Sequence, residues 1–144
     1  MNNKDHFEYF EHQADVGIIG YSTSLNNAFI EGAKAMFQIM ADIKNIEPKK
    51  EIKIRVEATD DETLFIEWLN ALLYHKDIED ILFSEFDVYI NHRNEKSELI
   101  GTARGEKINY KKHHLKIEVK AATYSQLKIK KENDIYLVQC VVDV

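Results

Sequence analysis

The final stretch of the chain constrains the fold more than any other segment. Residues 135–142 are almost continuously apolar. A strand with one solvated face alternates apolar and polar residues, so an unbroken apolar run is typical of a strand that lies centrally in a sheet or is covered on both faces. We therefore expect this segment to be a central or well-covered strand. The run ends at Asp143 and Val144, so its register places a carboxylate at one edge of the sheet.

A second aspartate adjoins an apolar run near the start of the chain. Asp15 lies in the segment HQADVGI of residues 12–18. An ionised carboxylate beside buried apolar residues is costly unless a charged or hydrogen-bonding group receives it. If the fold brings the two segments together, Asp15, Asp143 and the terminal carboxylate of Val144 form an oxygen-only acidic cluster, which hard divalent cations favour. Three such groups are too few for Ca²⁺, which takes about 6–8 oxygen ligands, so water or a partner must complete the site.

Each of these residues also has a plain structural interpretation. Asp15 precedes Gly17 and suits a turn in which its carboxylate accepts backbone N–H groups. Asp143 suits a solvated chain end. Among the six histidines, only His12 lies close in sequence to a candidate ligand, three residues before Asp15. We interpret the other histidines as structural or surface residues and His12 as the best functional candidate.

Hydrophobic periodicity predicts two main helices. Ser24 is predicted to cap a helix that extends to about Ala41, and Thr59 or Asp60 a second helix with an apolar face over residues 64–73. Alternation at period two predicts strands over 52–58, 82–90, 115–121 and 127–129, and short strand-like runs predict others over 7–11, 16–21, 99–106 and 135–142. Short turns between consecutive strands favour antiparallel pairing. We therefore expect one α+β domain over residues 1–144, a mostly antiparallel sheet with two main helices packed on it.

Composition and missing motifs narrow the classes of function. The longest apolar runs fall far short of the ~20 residues needed to cross a bilayer, and the polar start of the chain is unlike a signal peptide. Cys140, the only cysteine, lies inside an apolar strand, which argues against a nucleophilic role and fits a reducing compartment. Fingerprints of serine hydrolases, P-loop proteins, dinucleotide-binding enzymes and zinc peptidases are absent. We expect a cytoplasmic protein, and the sequence motifs offer little support for an enzyme.

The net charge of −6 conceals two regions of opposite sign. Residues 1–99 hold 10 basic and 20 acidic residues, whereas residues 100–131 hold 9 basic and 2 acidic residues. Overall acidity argues against sequence-blind binding of nucleic acid, which needs many phosphate contacts. The basic stretch over residues 100–131 leaves room for a smaller contact with RNA or an acidic partner, although such runs are most often solvated lysines.

Four segments together carry a family resemblance. They are HQADVGI at residues 12–18, EWLNALLY at 67–74, FSEF at 83–86, and the block at 105–124 that reads GEKIN, then His113, then LK and EVKAATY. With the final valine, aspartate and apolar residue, this set resembles the archease family over essentially the whole chain. Asn109 stands where that family usually has aspartate, and Ser125 where a histidine often follows the tyrosine.

The resemblance implies an accessory protein of RNA ligation. Archeases activate RtcB-type RNA ligases in tRNA splicing and RNA repair by promoting guanylylation of the ligase histidine with GTP and a divalent metal. Carried over by position, Asp15, Asp143 and Val144 are the expected metal-binding residues, with Val144 contributing a main-chain or terminal oxygen. The implied cofactor is Ca²⁺ or Mg²⁺/Mn²⁺. The implied partner is the ligase, with RNA contacted only indirectly or weakly and no membrane involved.

Two other functions stay open at this point. One is a metal-dependent hydrolase or nuclease that acts alone, for which His12 is the only nearby candidate base. The other is a metal-independent protein- or RNA-binding module, or a chaperone, that uses the basic stretch of residues 100–131. The metal hypothesis requires the two ends of the chain to meet in space.

Overall fold

The computed structural model describes residues 4–144, which form two antiparallel sheets with two long helices between them. The strands are β1 His6–His12, β2 Asp15–Ser22, β3 Lys50–Ala58, β4 Ile81–Arg93, β5 Lys96–Lys107, β6 Ala121–Ala122, β7 Lys128–Glu132 and β8 Ile135–Asp143. The helices are α1 Leu25–Met40, α2 Asp61–Glu79 and the single turn α3 Tyr110–His113, with a 3₁₀ turn at Ile43–Asn45. The predicted α+β class with antiparallel pairing is confirmed.

The five-stranded sheet, which we call the large sheet, is built around β8. Strand β2 pairs with β1 on one side and with β8 on the other. The other edge of β8 is shared, because β7 pairs with its first half and β6 with its last two residues. Val138, Cys140 and Val142 of β8 are fully buried. The prediction of a central, well-covered final strand is therefore confirmed, and its cause is pairing on both edges.

The three-stranded sheet, which we call the small sheet, has the order β3-β5-β4 and a bulge in β4 between Phe83 and Glu85. Gly105 of β5 lies opposite this bulge, and a Cβ built there would be 1.8 Å from the carbonyl oxygen of Leu82. At Gly101 a Cβ would be 2.7 Å from the ring of Trp68. Neither position can therefore accept a Cβ unless a neighbouring atom shifts.

Both long helices are buried on two sides because each contacts both sheets. Helix α1 packs on β2 and β8 of the large sheet and on β4 of the small sheet, while α2 packs on β3 and β5 and on β6. The Ser24 side chain caps α1 by accepting the N–H of Asn27, and Asp60 caps α2 by accepting that of Thr63. The sequence predicted helices on a sheet. Their position between two sheets explains why α2 is apolar on more than one face, including at Ile66.

One predicted strand is wrong. Residues 114–120 have no regular structure, although Leu115, Ile117 and Val119 alternate with polar residues as a strand would. Only Val119 is buried, while Leu115 and Ile117 are 40% and 50% exposed. The backbone N–H groups of residues 116 and 117 instead donate to the carbonyls of Met40 and Ile39, which the end of α1 leaves without helical partners.

Candidate metal site at one edge of the large sheet

The turn between β1 and β2, which carries Asp15, meets the last residues of the chain at one edge of the large sheet. Strands β2 and β8 are paired in the register Val16 to Val142, so the next step of that register sets Asp15 opposite Asp143. The backbone N–H of Val144 donates to the Oδ1 atom of Asp15 at 3.3 Å. The prediction that these distant segments meet is confirmed, and we call the group of Asp15, Asp143 and Val144 the acidic edge.

Both aspartates point to the outer face of the large sheet. Val16, Cys140 and Val142 pack into the core, and side chains alternate along a strand, so Asp15 and Asp143 lie on the opposite face. Opposed residues on antiparallel neighbours have Cβ atoms about 4.5–5.5 Å apart, and like charges in such a pair are destabilising. Both residues are half-buried. The fold therefore places two carboxylates side by side where repulsion works against them.

No basic side chain relieves this repulsion within the part of the chain that the structure describes. Every ion pair found within 4.0 Å there involves other acidic residues. One oxygen of Asp15 accepts the N–H of Val144, which leaves most acceptor positions of the two carboxylates available. These donors are all oxygen atoms, and such a donor set suits a hard divalent cation.

His12 lies beside the acidic edge. It is paired with Asp15 across the turn between β1 and β2, so the two side chains share the outer face. Even with His12 included, residues 4–144 contain no group of three His, Cys, Asp or Glu side chains arranged to hold a metal ion. The acidic edge thus offers two carboxylates and a main-chain oxygen, and the metal site at these residues stays a prediction.

Strand β6 borders the acidic edge on the side away from β2. Its Ala121 is paired with Asp143, and the N–H of Lys120 donates to the carbonyl oxygen of Asp143 at 2.8 Å. The N–H and the Oγ1 hydroxyl of Thr123 both donate to the carbonyl of Val141, at 3.0 and 2.8 Å. The backbone of Asp143 is therefore held from both sides, by β2 and by the chain around β6.

The outcome at Cys140 agrees with the sequence interpretation. Its side chain is fully buried, and burial raises the pKa of the thiol to about 12. The sulfur is therefore protonated at neutral pH and closed to reagents, so a nucleophilic role has no support.

The sequence did not reveal a buried ionic cluster of Glu106, Lys112 and His113, which lies at the start of the block at residues 105–124. Glu106 accepts the backbone N–H of Glu47 at 2.8 Å, the Lys112 ammonium at 2.8 Å and His113 Nε2 at 3.0 Å. His113 is 1% exposed, and its Nδ1 accepts the N–H of Asn109 at 2.9 Å. The signal was present in the glutamate and histidine of that block, but nothing in their spacing showed that they join.

Asn109 caps the single turn α3, a role that aspartate can also fill. Its Oδ1 accepts the N–H groups of Lys111 and Lys112 at 3.0 and 3.1 Å, which caps the single turn α3. Asparagine and aspartate are comparable at the start of a helix. The departure from the family pattern at this position therefore preserves the local structure.

The ionic cluster predicts a defined acid sensitivity. Burial alone would raise the pKa of Glu106, but the bonds from Glu47, Lys112 and His113 outweigh it and lower the pKa to about 2 from 4.5. The ionised carboxylate therefore stabilises the fold fully above pH 4.5, and this contribution is lost as the pH falls toward 2. Glu106→Gln should reduce the free energy of unfolding by about 1–3 kcal/mol at pH 7.

Urea unfolding of wild type and Glu106→Gln at several pH values checks this expectation. The difference between the two should shrink between pH 4.5 and 2. A difference that stays constant over that interval would show that the charge on Glu106 does not stabilise the fold.

The fold and the site together define a class of protein, a small α+β domain in which the turn between β1 and β2 meets the end of β8 at an open, oxygen-only acidic edge. The sequence matches the archease protein family (MTH1598/TM1083) over residues 7–144. The archease of Sulfurisphaera tokodaii is 41% identical over 138 residues, covering 96% of this chain and 98% of the relative. That of Pyrococcus furiosus is 42% identical over 139 residues, with the same coverage. The chain belongs to the archease family.

Solved structures agree with this assignment. The solution structure of Methanobacterium thermoautotrophicum protein 1598 is 35% identical and superposes with a TM-score of 0.85, covering 96% of this chain and 98% of that one. The crystal structure of an archease from Thermotoga maritima, described as a possible chaperone, is 18% identical with a TM-score of 0.58 over 94% of each chain. The second comparison supports the fold alone. In residues 4–144 no helix has the length and apolar character required to span a membrane.

Proposed function

We propose that this protein is an accessory activator of an RtcB-type RNA ligase and acts through the acidic edge. The observation that carries the proposal is that Asp15 and Asp143 each lie one step beyond the Val16–Val142 pair of the β2–β8 ladder, with the N–H of Val144 donating to Asp15. The resemblance to archeases implies the partner and the reaction, guanylylation of the ligase in tRNA splicing and RNA repair, and membership of that family supports both parts of the proposal. In this role the protein is an accessory and not a free-standing enzyme.

The residues at the acidic edge fit a divalent cation. Asp15 and Asp143 would hold the ion with their carboxylates, and Val144 with a main-chain oxygen. Ca²⁺, Mg²⁺ and Mn²⁺ all prefer such oxygen donors. When bound, the ion supplies positive charge that neutralises a triphosphate during attack on its α-phosphate.

The protein's own contribution is to present this charge pair at an exposed edge. The β2–β8 ladder fixes the spacing of the two carboxylates, and neither carboxylate has a basic partner among residues 4–144. The site has too few donors to enclose an ion, so ligase or nucleotide groups can occupy the remaining positions. The net charge of −10 over residues 1–99 favours approach to a basic RNA-binding cleft and would raise the encounter rate. In this proposal the protein meets the ligase in the cytoplasm.

Reconstitution with the ligase tests the proposal directly. Purified ligase from the same cell is incubated with GTP, a divalent metal and RNA ends, with and without this protein, and the covalent guanylate and the number of turnovers are measured. We expect the protein to convert a single-turnover ligase into a multiple-turnover one. Equal guanylylation and turnover in both samples would refute the proposed function. RNA cleavage by this protein with Mn²⁺ and no ligase would support the hydrolase instead, with His12 as its base.

A binding module without metal is the second candidate, and one observation favours it. Ile129 of β7 packs against the core, so Lys128 and Lys130 project from the same outer face as the acidic edge, and both are exposed. The Lys131 ammonium lies 5.2 Å from the centre of the Tyr136 ring. These three lysines form an exposed group within the basic stretch of residues 100–131.

Charge reversal separates the two candidates. Lys128→Glu combined with Lys130→Glu and Lys131→Glu should leave metal binding unchanged and reduce ligase stimulation less than about threefold, since exposed charges mainly alter encounter rates. Loss of stimulation in this variant, with Mn²⁺ affinity intact, would favour the metal-independent module. Filter binding of labelled RNA to both proteins shows whether the lysines contact RNA.

A further inference from the structure

Asn70 makes an unusual pair of contacts with the strand beside the acidic edge. Its Oδ1 accepts the backbone N–H of Ala122 at 2.8 Å, and its Nδ2 donates to the carbonyl oxygen of the same residue at 3.1 Å. Asn70 lies on α2, and the neighbouring Leu69 and Leu72 are fully buried. Its amide therefore reaches out of the core and satisfies both backbone groups of one residue in β6.

The contact explains how so short a strand stays in place. Strand β6 has only Ala121 and Ala122, and the chain before it, residues 114–120, is irregular. A side-chain amide has the same donor and acceptor as a peptide group. Asn70 thus pairs with Ala122 on the side away from β8, as the backbone of one more strand would.

Strand β6 is also the element that holds the backbone of Asp143. The N–H of Lys120 donates to the Asp143 carbonyl, and the N–H of Thr123 to that of Val141. These two bonds lie on either side of the residue that Asn70 clamps. A substitution of Asn70 would therefore act on the position of Asp143 through Ala121 and Ala122, the two residues of β6.

We propose that Asn70 is a positioning residue, which clamps β6 against β8 and thereby sets the position of Asp143 in the acidic edge. The proposal rests on the proposed function for the cation, because Asp143 needs this position to share an ion with Asp15. Partners that orient metal ligands typically change metal affinity by about 10–100-fold when they are removed.

Two variants of Asn70 test the proposal. Asn70→Ala removes both bonds, and Asn70→Leu removes them while nearly preserving the shape of the side chain. Asn26→Ala is a matched control, because the Asn26 side chain also accepts a backbone N–H, that of Ile90 at 2.9 Å, but it does so at the start of α1. Melting curves identify which variants are folded at the temperature of the measurements.

Two readouts are taken on each folded variant: the Mn²⁺ dissociation constant by calorimetry, and hydrogen exchange at the amides of Lys120 and Val144. Both Asn70 variants should bind Mn²⁺ about tenfold or more weakly. They should also exchange these two amides faster, while Asn26→Ala matches wild type in both readouts. Wild-type affinity and exchange in a folded Asn70 variant would overturn the proposal.

The exchange readout separates this inference from the proposed function. If wild type fails to bind Mn²⁺, the metal proposal is wrong, but exchange at Lys120 and Val144 still decides the role of Asn70. Faster exchange confined to these amides would then support the clamp, and unchanged exchange would overturn it.

Discussion

Asp15→Asn and Asp143→Asn should each weaken Mn²⁺ binding by about 100-fold or more and abolish stimulation of ligase guanylylation. Each substitution removes one negative charge next to the proposed ion, and a unit charge about 4 Å from another is worth about 4 kcal/mol near a protein surface. Without metal, both variants should be as stable as wild type or more stable by about 0.2–1 kcal/mol, because the opposed carboxylates no longer repel each other. Calorimetry, urea unfolding and the guanylylation assay measure these three quantities.

Asp134→Asn is the matched control for these variants. Asp134 lies in the turn between β7 and β8, at the other end of the last strand, with φ of 63°, a conformation that asparagine also adopts readily. This control should keep both metal affinity and stimulation. Full stimulation by folded Asp15→Asn and Asp143→Asn would remove the acidic edge from the mechanism.

Gly20→Ala should reduce the free energy of unfolding by about 3 kcal/mol or more. A Cβ at Gly20 would be 2.4 Å from the carbonyl oxygen of Ala28 and 2.6 Å from the backbone nitrogen of Gly32. Both atoms belong to the backbone of α1, which cannot move aside without separating the helix from the large sheet. Overpacking of this kind costs about 1–3 kcal/mol and more where backbone must shift. Urea unfolding measures the loss.

Gly17→Ala on the same strand provides the comparison. A Cβ there would meet only the far end of the Phe10 ring, at 2.3 Å, and a half-buried ring can rotate away. We expect a loss below about 1.5 kcal/mol. Equal losses at the two glycines would show that the contact between β2 and α1 is less rigid than the structure indicates.

Local patterns predicted the parts of this fold that depend on local chemistry. The cap at Ser24, the alternation in residues 52–58 and the apolar run at 135–142 each involve neighbours within a few positions, and all three are confirmed. The acidic edge was predicted because two aspartates adjoin apolar strands, and the β2–β8 register confirms that they meet. The presence of metal there stays a prediction.

Contacts between residues far apart in the sequence determined the features that local patterns could not predict. Residues 115–121 alternate like a strand, but the N–H groups of Lys116 and Ile117 pair with the unsatisfied carbonyls at the end of α1, partners that are visible only after folding. Asn70 is one of several polar residues in the sequence of α2, and its clamp on Ala122 depends on where α2 packs. Glu106 and His113 are seven residues apart, and the turn of α3 between them brings them together.

Titration of the labelled protein with Mn²⁺ tests the central claim most directly, because a paramagnetic ion broadens only the signals of nearby nuclei. At substoichiometric Mn²⁺ the amides of Asp15, Asp143 and Val144 should broaden together, and that of Asn94, in the turn between β4 and β5, should stay sharp. Asp143→Asn should remove the effect at all three positions. Broadening centred elsewhere, or none at millimolar Mn²⁺, would contradict a cation shared by Asp15 and Asp143.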